Sequence, residues 1–223
     1  MGTVTREDET RRLARQATDA DPTGWFEQLY SSARSGSASI PWDRGGPNPL
    51  LAEWTAHHGL DGAGRTAITV GCGLGDDAEH LAALGFRTTA FDISPTAVET
   101  ARERHPGSQV GYTTADLLDL PAEWRASYDF VFESLTVQSM PVSVHARAID
   151  AVRSLVAPGG TLLVIASHRD EGVDVEDAPP WPLMDSEIHA FASPDVQVRQ
   201  LEVIQDQKDP SVRRWRVELH RDD

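Results

Sequence analysis

The stretch that most constrains this chain lies at residues 68–77, ITVGCGLGDD, where a short apolar run stops at Gly71, Gly73 and Gly75 and gives way to the helical pattern AEHLAAL. It reads as a strand, a glycine turn and a helix N-terminus, the opening of a βαβ unit. Three glycines at alternate positions put no Cβ in the way, so the backbone can bend tightly and approach a ligand at van der Waals distance. Asp76 followed three residues later by Glu79 reads as a capping box and predicts that the helix begins there. A ligand is therefore expected against backbone, over the end of the first strand.

The spacing narrows that ligand. A dinucleotide fingerprint wants Gly-x-Gly-x-x-Gly, whereas here the third glycine falls one residue early and Asp76 stands where that pattern puts glycine. A pyrophosphate wants a bare, positive helix end, and Asp76 and Asp77 crowd this one with carboxylates. A ligand carrying an amino group and a sulfonium tolerates them better. The Gly-x-Gly-x-Gly turn resembles that of class I S-adenosylmethionine-dependent methyltransferases.

Downstream of residue 68, strand patterns alternate with helical ones, which predicts an α/β fold with a parallel sheet. Strands are expected at 87–92, 109–115, 128–132 and 161–166, the last so apolar (TLLVIA) that it must be central and buried. Ser94-Pro95 starts a helix, another runs over 145–156 with Pro158-Gly159-Gly160 as its stop, and a short one covers 184–191. Residues 196–205 and 212–220 alternate in polarity and read as a terminal antiparallel hairpin. The expected architecture is a Rossmann-like seven-stranded, mostly parallel sheet with a C-terminal antiparallel hairpin and helices on both faces.

Ahead of the sheet, residues 1–21 read as a polar, loosely held tail or helix, in which a helix over 7–17 would have Leu13 as its only large apolar residue. Residues 22–60 read as an N-terminal cap, in which Trp25, Phe26, Leu29 and Tyr30 share a helical face, a breaker-rich loop follows, and a second helix starts at Pro49. Residues 167–182, rich in acids and prolines and without period, read as a lid. Residues 22–223 would then form one catalytic domain, as the length of 223 suggests.

Composition excludes several partners. A formal charge of −15, with 20 basic against 35 acidic residues, argues against a phosphate track for nucleic acid. No run of apolar residues is long enough for a membrane span and no leader is visible, while Cys72, the single cysteine, rules out an intrachain disulfide; both point to a cytoplasmic protein. The 8 histidines show no metal-ligand spacing, so no metal is expected. A small-molecule acceptor is the expected partner; oligomeric state is not legible.

Asp92 closes a strand 21 residues after Gly71, where an acid can accept two hydrogen bonds from ribose hydroxyls. Asp116 and Leu117, ending the third strand, can offer a carboxylate to an adenine amino group and an N–H to a ring nitrogen. With the glycine turn, these strand ends make an adenosine site on one edge of the sheet, which both a nicotinamide and an S-adenosylmethionine ligand would use. The order of further motifs is more specific: Trp25, the segment 40–47 from Ile40-Pro41-Trp42-Asp43 to Gly45-Gly46-Pro47, Pro49-Leu50, Gly71-Cys72-Gly73 with Asp77, Asp92-Ile93-Ser94, 129–133 (DFVFE), Pro158-Gly159-Gly160, Pro179-Pro180-Trp181 and Arg214-Trp215. Over roughly residues 22–220 this resembles the branch containing thiopurine methyltransferases and the halide and thiol methyltransferases. The resemblance implies S-adenosylmethionine as cofactor and S-adenosylhomocysteine as product. It implies that Trp25 and Trp42 close over the cofactor, Gly71, Gly73, Gly75 and Asp77 face its methionine portion, Asp92 and Ile93 its ribose, Asp116 and Leu117 its adenine, and Glu133 the transferring methyl group.

There are departures. Where those relatives often carry Arg at the start of the helix after the fourth strand, this chain has His145, and the segment 133–140, ESLTVQSM, is more polar than a bare-halide site, with Ser134, Thr136 and Gln138 able to hydrogen-bond an organic acceptor. The expected activity is methyl transfer to sulfur, nitrogen or oxygen of a small organic acceptor. A hydroxyl nucleophile would need a base, for which Glu133, His145 and His168 are candidates, Glu133 first. A non-catalytic cofactor-binding protein and a nicotinamide oxidoreductase are the alternatives.

Overall fold

A computed structural model describes residues 5–173, 179–206 and 209–223. The alternation of strand and helix patterns folds into a single seven-stranded sheet. Its strands are β1 (Thr66–Val70), β2 (Arg87–Asp92), β3 (Gly111–Thr114), β4 (Tyr128–Ser134), β5 (Val156–Ser167), β6 (Val196–Gln205) and β7 (Arg213–Arg221), in the spatial order β3-β2-β1-β4-β5-β7-β6. The first five run parallel; β7 inserts antiparallel between β5 and β6, with Leu163 opposite Glu218 and Ser167 opposite Arg214. The chain order reverses between β1 and β4, so β2 and β3 lie to one side of β1 and the remaining strands to the other. That switch point opens the crevice in which open α/β sheets bind ligands.

Both faces of the central strands are apolar because both are covered. One face packs under α2 (Gly24–Arg34), α6 (Val142–Ser154) and α7 (Asp185–His189), with Leu29, Ile68, Val131, Ile149, Val164 and Phe191 fully buried between them. The other packs under α3 (Pro49–His57) and α4 (Asp76–Ala83), with Leu51, Leu81, Phe130, Phe132 and Leu163 as its centre, while α5 (Pro95–Arg104) covers β2 and β3.

Several local expectations shift. The helix after the glycine turn is capped by Gly75 in the left-handed region (φ +93°), not by Asp76, and no side chain caps it. Glu79 therefore does not close a capping box: its carboxylate accepts from Tyr112 Oη (2.6 Å) and Ser108 Oγ (2.5 Å), tying α4 to β3. α6 starts three residues before His145, at Val142, and Pro158-Gly159-Gly160 lie inside β5 rather than before it. The N-terminal segment is not loosely held over its described part. α1 (Arg6–Ala14) is closed by a Thr5/Asp8 capping box, buries Leu13 in the main core, and is tied to the cap loop by Thr10 Oγ1 donating to Ser39 O (2.7 Å). One buried leucine and one hydroxyl dock a helix whose remaining surface is polar. Residues 1–4 of that segment, and residues 174–178 of the expected lid, lie outside the described residues. The described flanks of the 167–182 segment are anchored: Leu183 N–H donates to Ser167 O (2.9 Å) and Trp181 N–H to Gln138 O (2.7 Å).

No helix of the described residues is long and apolar enough to cross a membrane.

Candidate functional site

The carboxyl ends of β1, β2 and β4 are in register, Val70 standing beside Phe91 and Glu133, and the loops leaving them surround a cleft that opens to solvent. Its floor is the glycine turn. Gly71 has φ +58°, and a Cβ built there would stand 2.8 Å from Thr136 Cγ2 and closer still to Thr136 Oγ1, so the turn is possible only without a side chain. Thr136 is fixed there by its own hydroxyl, which donates to Val70 O (3.1 Å). The loop after β4 thus rests directly on the loop after β1.

Asp92 pins the turn from the neighbouring strand. Gly73 N–H donates to its Oδ2 and Ser94 N–H to its Oδ1, both at 2.9 Å. Burial raises its carboxyl to about 6 against the lowering pull of those N–H groups. Each carboxylate oxygen has a second acceptor direction, and Asp92 lines the cleft with Ile93, so it can still receive hydroxyls. Asp116 follows β3; its Oδ1 accepts from Leu118 N–H (2.8 Å), and it lines the cleft beside Leu117 and Ala115.

The N-terminal cap supplies the roof. Trp42 Nε1 donates to Tyr30 Oη (2.8 Å), and both groups stand over Gly73. Phe26 and Trp25 complete an aromatic cluster, with Trp25 stacked on Phe26 at 4.2 Å between centroids. Glu27 fastens this roof to the sheet domain: it accepts from Ser94 Oγ, Thr96 N–H and Thr96 Oγ1 at the start of α5. A carboxylate at a helix N-terminus is stabilising, and three hydrogen bonds lost together are expected to cost roughly 1–3 kcal/mol. Glu27→Ala should lower the melting temperature by several degrees and weaken binding of any ligand the roof covers, read by thermal shift with and without that ligand.

Asn48 is the hub of the remaining wall. Its Oδ1 accepts from Leu50 N–H and so caps α3, its backbone N–H donates to Asp77 Oδ1 (2.6 Å), and its Nδ2 donates to Ser134 Oγ (3.0 Å). One buried residue joins α3, α4 and β4, its side chain reaching α3 and β4 and its backbone N–H reaching α4. The carboxyl of Asp77 is pushed up to about 6 by burial, opposed by the Asn48 N–H and by the field of Arg44.

Of the residues singled out from sequence, Trp42, Gly71, Gly75, Asp77, Asp92, Ile93, Asp116 and Leu117 all line this cleft. Gly73 lies beneath Tyr30 and Trp42 in the turn itself. Three others stand behind the wall. Trp25 is buried against Phe26. Glu133 is fully buried at the end of β4, its Oε1 accepting from Thr136 N–H (2.7 Å) and Val137 N–H (3.1 Å) and its Oε2 without a partner; burial raises its carboxyl to about 7. His145 is buried in α6, with Nδ1 2.6 Å from Glu187 Oε1 and Nε2 2.9 Å from Met140 O, joining α6 to α7 rather than facing the cleft. His168 packs its ring at a tilt against Trp215, with 4.3 Å between centroids, also off the wall.

Sequence reading missed Tyr30, Arg44 and Asn48 as wall residues, and Ser139 and Met140 on the loop after β4. The Asn48-Pro49 pair carried a signal: Asn at N-cap with Pro at N1 announces a helix start. Nothing local announced that the same Asn reaches β4.

Residues 67–160 match a family model described as a methyltransferase domain. The chain is 35% identical over 155 residues to the ubiquinone biosynthesis O-methyltransferase of Xanthomonas axonopodis pv. citri (strain 306), an alignment covering 65% of this chain and 63% of that protein. A relative of the same description from Xanthomonas campestris pv. campestris (strain B100) is 36% identical over 156 residues, again covering 65% and 63%. The chain thus spans just under two thirds of the length of these relatives. Among solved structures, the N-methyltransferase NodS from Bradyrhizobium japonicum WM9, in complex with S-adenosyl-L-homocysteine, superposes with a TM-score of 0.65 at 18% identity over 88% of this chain and 100% of that one. The [4+2]-cyclase SpnF superposes with a TM-score of 0.68 at 18% identity over 90% and 97%.

Proposed function

We propose that this chain is a class I S-adenosylmethionine-dependent methyltransferase that transfers the cofactor's methyl group to sulfur, nitrogen or oxygen of a small organic acceptor, a reading that the match of residues 67–160 to a methyltransferase domain supports. The observation that carries the reading is the convergence of the glycine turn, Asp92 and Asp116 on one cleft at the switch point of the sheet. The cleft suits this cofactor chemically. Asp92 and Asp116 line the cleft, which supports roles at ribose and adenine, Asp77 offers a carboxylate to an ammonium, and Phe26, Tyr30 and Trp42 offer aromatic surface to a sulfonium. Asp76 and Asp77 in the first turn of α4 repel a pyrophosphate, which weighs against a dinucleotide.

The bound cofactor supplies an electrophilic methyl carbon; the protein aligns, desolvates and covers. Holding the two reactants in line is worth roughly 7–11 kcal/mol in favourable cases, so the roof of residues 23–46 matters more than any one side chain. The wall beyond the glycine turn, formed by Ser134, Leu135, Thr136, Ser139 and Met140, offers hydroxyls but no imidazole. That favours an acceptor whose nucleophile needs no strong base, a thiol or an amine, over an unactivated hydroxyl. The thiol preference agrees with the thiopurine, halide and thiol branch that the motif order resembles; the O-methyltransferase relatives favour a hydroxyl, for which the wall among the described residues offers carboxylates but no imidazole.

Two measurements test the reading. Calorimetry should show S-adenosylhomocysteine binding at micromolar protein with one site per chain, and absence of binding would end the proposal. Incubation with labelled S-adenosylmethionine and a panel of thiols, halides, amines and phenols, read by mass spectrometry, should show transfer to a thiol or amine first. A second reading, cofactor binding without methyl transfer, predicts tight binding and an unlabelled panel; a fold shared with a [4+2]-cyclase is compatible with it.

A further inference from the structure

Among the described residues, three that are not glycine hold a left-handed backbone: Ala63 (φ +46°), Ala126 (φ +51°) and Leu135 (φ +64°). The two alanines are exposed and precede β1 and β4, at the amino ends of the strands and so opposite the cleft. Leu135 differs on both counts. It follows β4 on the cleft wall, and a bulky side chain makes this conformation a true outlier, where glycine or asparagine would adopt it readily. Such a conformation persists only where its surroundings over-determine it. Here four hydrogen bonds do so. Leu135 N–H donates to Ile165 O (3.0 Å) and Leu135 O accepts from Ser139 Oγ (2.7 Å), while the next residue is fixed by Thr136 N–H on Glu133 Oε1 (2.7 Å) and Thr136 Oγ1 on Val70 O (3.1 Å).

The strained residue does not serve the core. Every other leucine among the described residues belongs to the apolar core or packs against it; Leu135, half-buried, does neither. An apolar side chain that the core does not use, on a residue of the cleft wall, is left with the cleft to face, and apolar lining is what small-molecule sites are made of. Its side of the cleft is the one away from Asp92 and Asp116. Those acids stand at the ends of β2 and β3, whereas β4 lies across β1 from them, and the loop that carries Leu135 also brings Ser139 and Met140 to the wall.

We propose that Leu135 determines acceptor specificity: directed into the cleft by its left-handed backbone, it narrows the acceptor end and restricts the enzyme to acceptors that are slender beside their nucleophilic atom. This rests on the methyl-transfer reading above. Glycine would hold the same turn without strain, so a leucine here gives up stability for the surface it presents.

The test uses the full-length protein saturated with S-adenosylhomocysteine. Benzenethiol, 4-tert-butylbenzenethiol and 2-naphthalenethiol are titrated calorimetrically, with the matching arylamines as a second series. Leu135→Gly should bind a wide member of at least one series about tenfold or more tighter than wild type does, the scale of one or two methylenes in an apolar pocket. The narrow member should gain less, and affinity for S-adenosylhomocysteine should stay within about threefold. Leu135→Ala removes the bulk but keeps the strain, so it should show the same gain while melting several degrees below Leu135→Gly, the reverse of the usual order for these two residues. The same wide-to-narrow ratio in wild type and Leu135→Gly, including a series that neither protein binds, overturns the proposal. So does a gain confined to Leu135→Gly, which would place the effect in a loosened loop, or a Leu135→Gly protein melting about 10 °C or more below wild type, which would make Leu135 a packing residue. Failure of the wild type to bind S-adenosylhomocysteine would instead remove the reading beneath it.

Discussion

Glu133→Gln should make the ligand-free protein more heat-stable than wild type at pH 8, with the advantage shrinking by about 5–10 °C between pH 8 and pH 5. Glu133 is fully buried, one oxygen accepts two backbone N–H groups, and the other has no partner. Its folded-state carboxyl is raised from the ordinary 4.5 to about 7, by burial first. A carboxyl raised in the folded state binds its proton there more tightly than in the unfolded chain. The folded form is therefore favoured at low pH, and stability is lost as pH rises from about 4.5 through about 7, by roughly 2–3 kcal/mol between pH 5 and pH 8. Glutamine keeps an acceptor for Thr136 and Val137 and has no charge to desolvate, so its contribution is flat with pH. Taking the difference between variant and wild type removes the opposite trends of other carboxyls, such as Asp129 and Glu187, which are lowered. Parallel melting curves of the two proteins across this range would sink the account of Glu133 as a desolvated prop under the loop after β4. Activity separates the roles: a prop should cost less than about tenfold in turnover on replacement, and a general base about a hundredfold or more.

The contrast between Glu133 and Asp92 shows what the chain reveals before it folds. Both end a parallel strand and both looked like ligand-facing acids. Asp92 lines the cleft because the glycine turn beside it is backbone and leaves it room. Glu133 is roofed by residues 134–137, which fold back over it to make the cleft wall. That return depends on Thr136 finding the gap above Gly71, a contact across 65 residues of sequence that no local pattern encodes. The same limit applies to His145. Helical periodicity put it on a helix, but only α7 arriving with Glu187, 42 positions later, decides that it faces inward. The parallel strands, the terminal hairpin and the gathering of strand-end acids at one edge of the sheet were legible because each rests on a short-range signal: apolar runs, a glycine turn, an acid closing a strand. The cap was half legible. Its aromatic face showed at i and i+4 spacing, whereas the hold of Glu27 on α5 and of Asn48 on β4 did not.

Gly71→Ala tests that long-range contact directly, and it should remove most S-adenosylhomocysteine affinity, about a hundredfold or more, while leaving a folded protein. Two effects combine at this residue. Its φ of +58° is a left-handed conformation that costs an alanine roughly 1–2 kcal/mol, and the new methyl would overlap Thr136, whose hydroxyl is held by Val70 O. The turn cannot yield toward the sheet, because Cys72 N–H is bonded to Phe91 O (2.8 Å) and Gly73 N–H to Asp92. The loop after β4 is the part that gives. Moving it lifts Ser134, Thr136 and Ser139 from the wall and frees the N–H groups that Glu133 accepts, so the damage falls on the cleft more than on the core. Removing the obstruction should show it: in the double variant with Thr136→Gly the clash is gone and only the backbone term remains, so part of the affinity should return. The two substitutions should then be non-additive by about 1 kcal/mol or more in a double-mutant cycle. Strict additivity, or full affinity in Gly71→Ala alone, would mean that the β1 turn and the β4 loop do not share the packing that shapes this cleft.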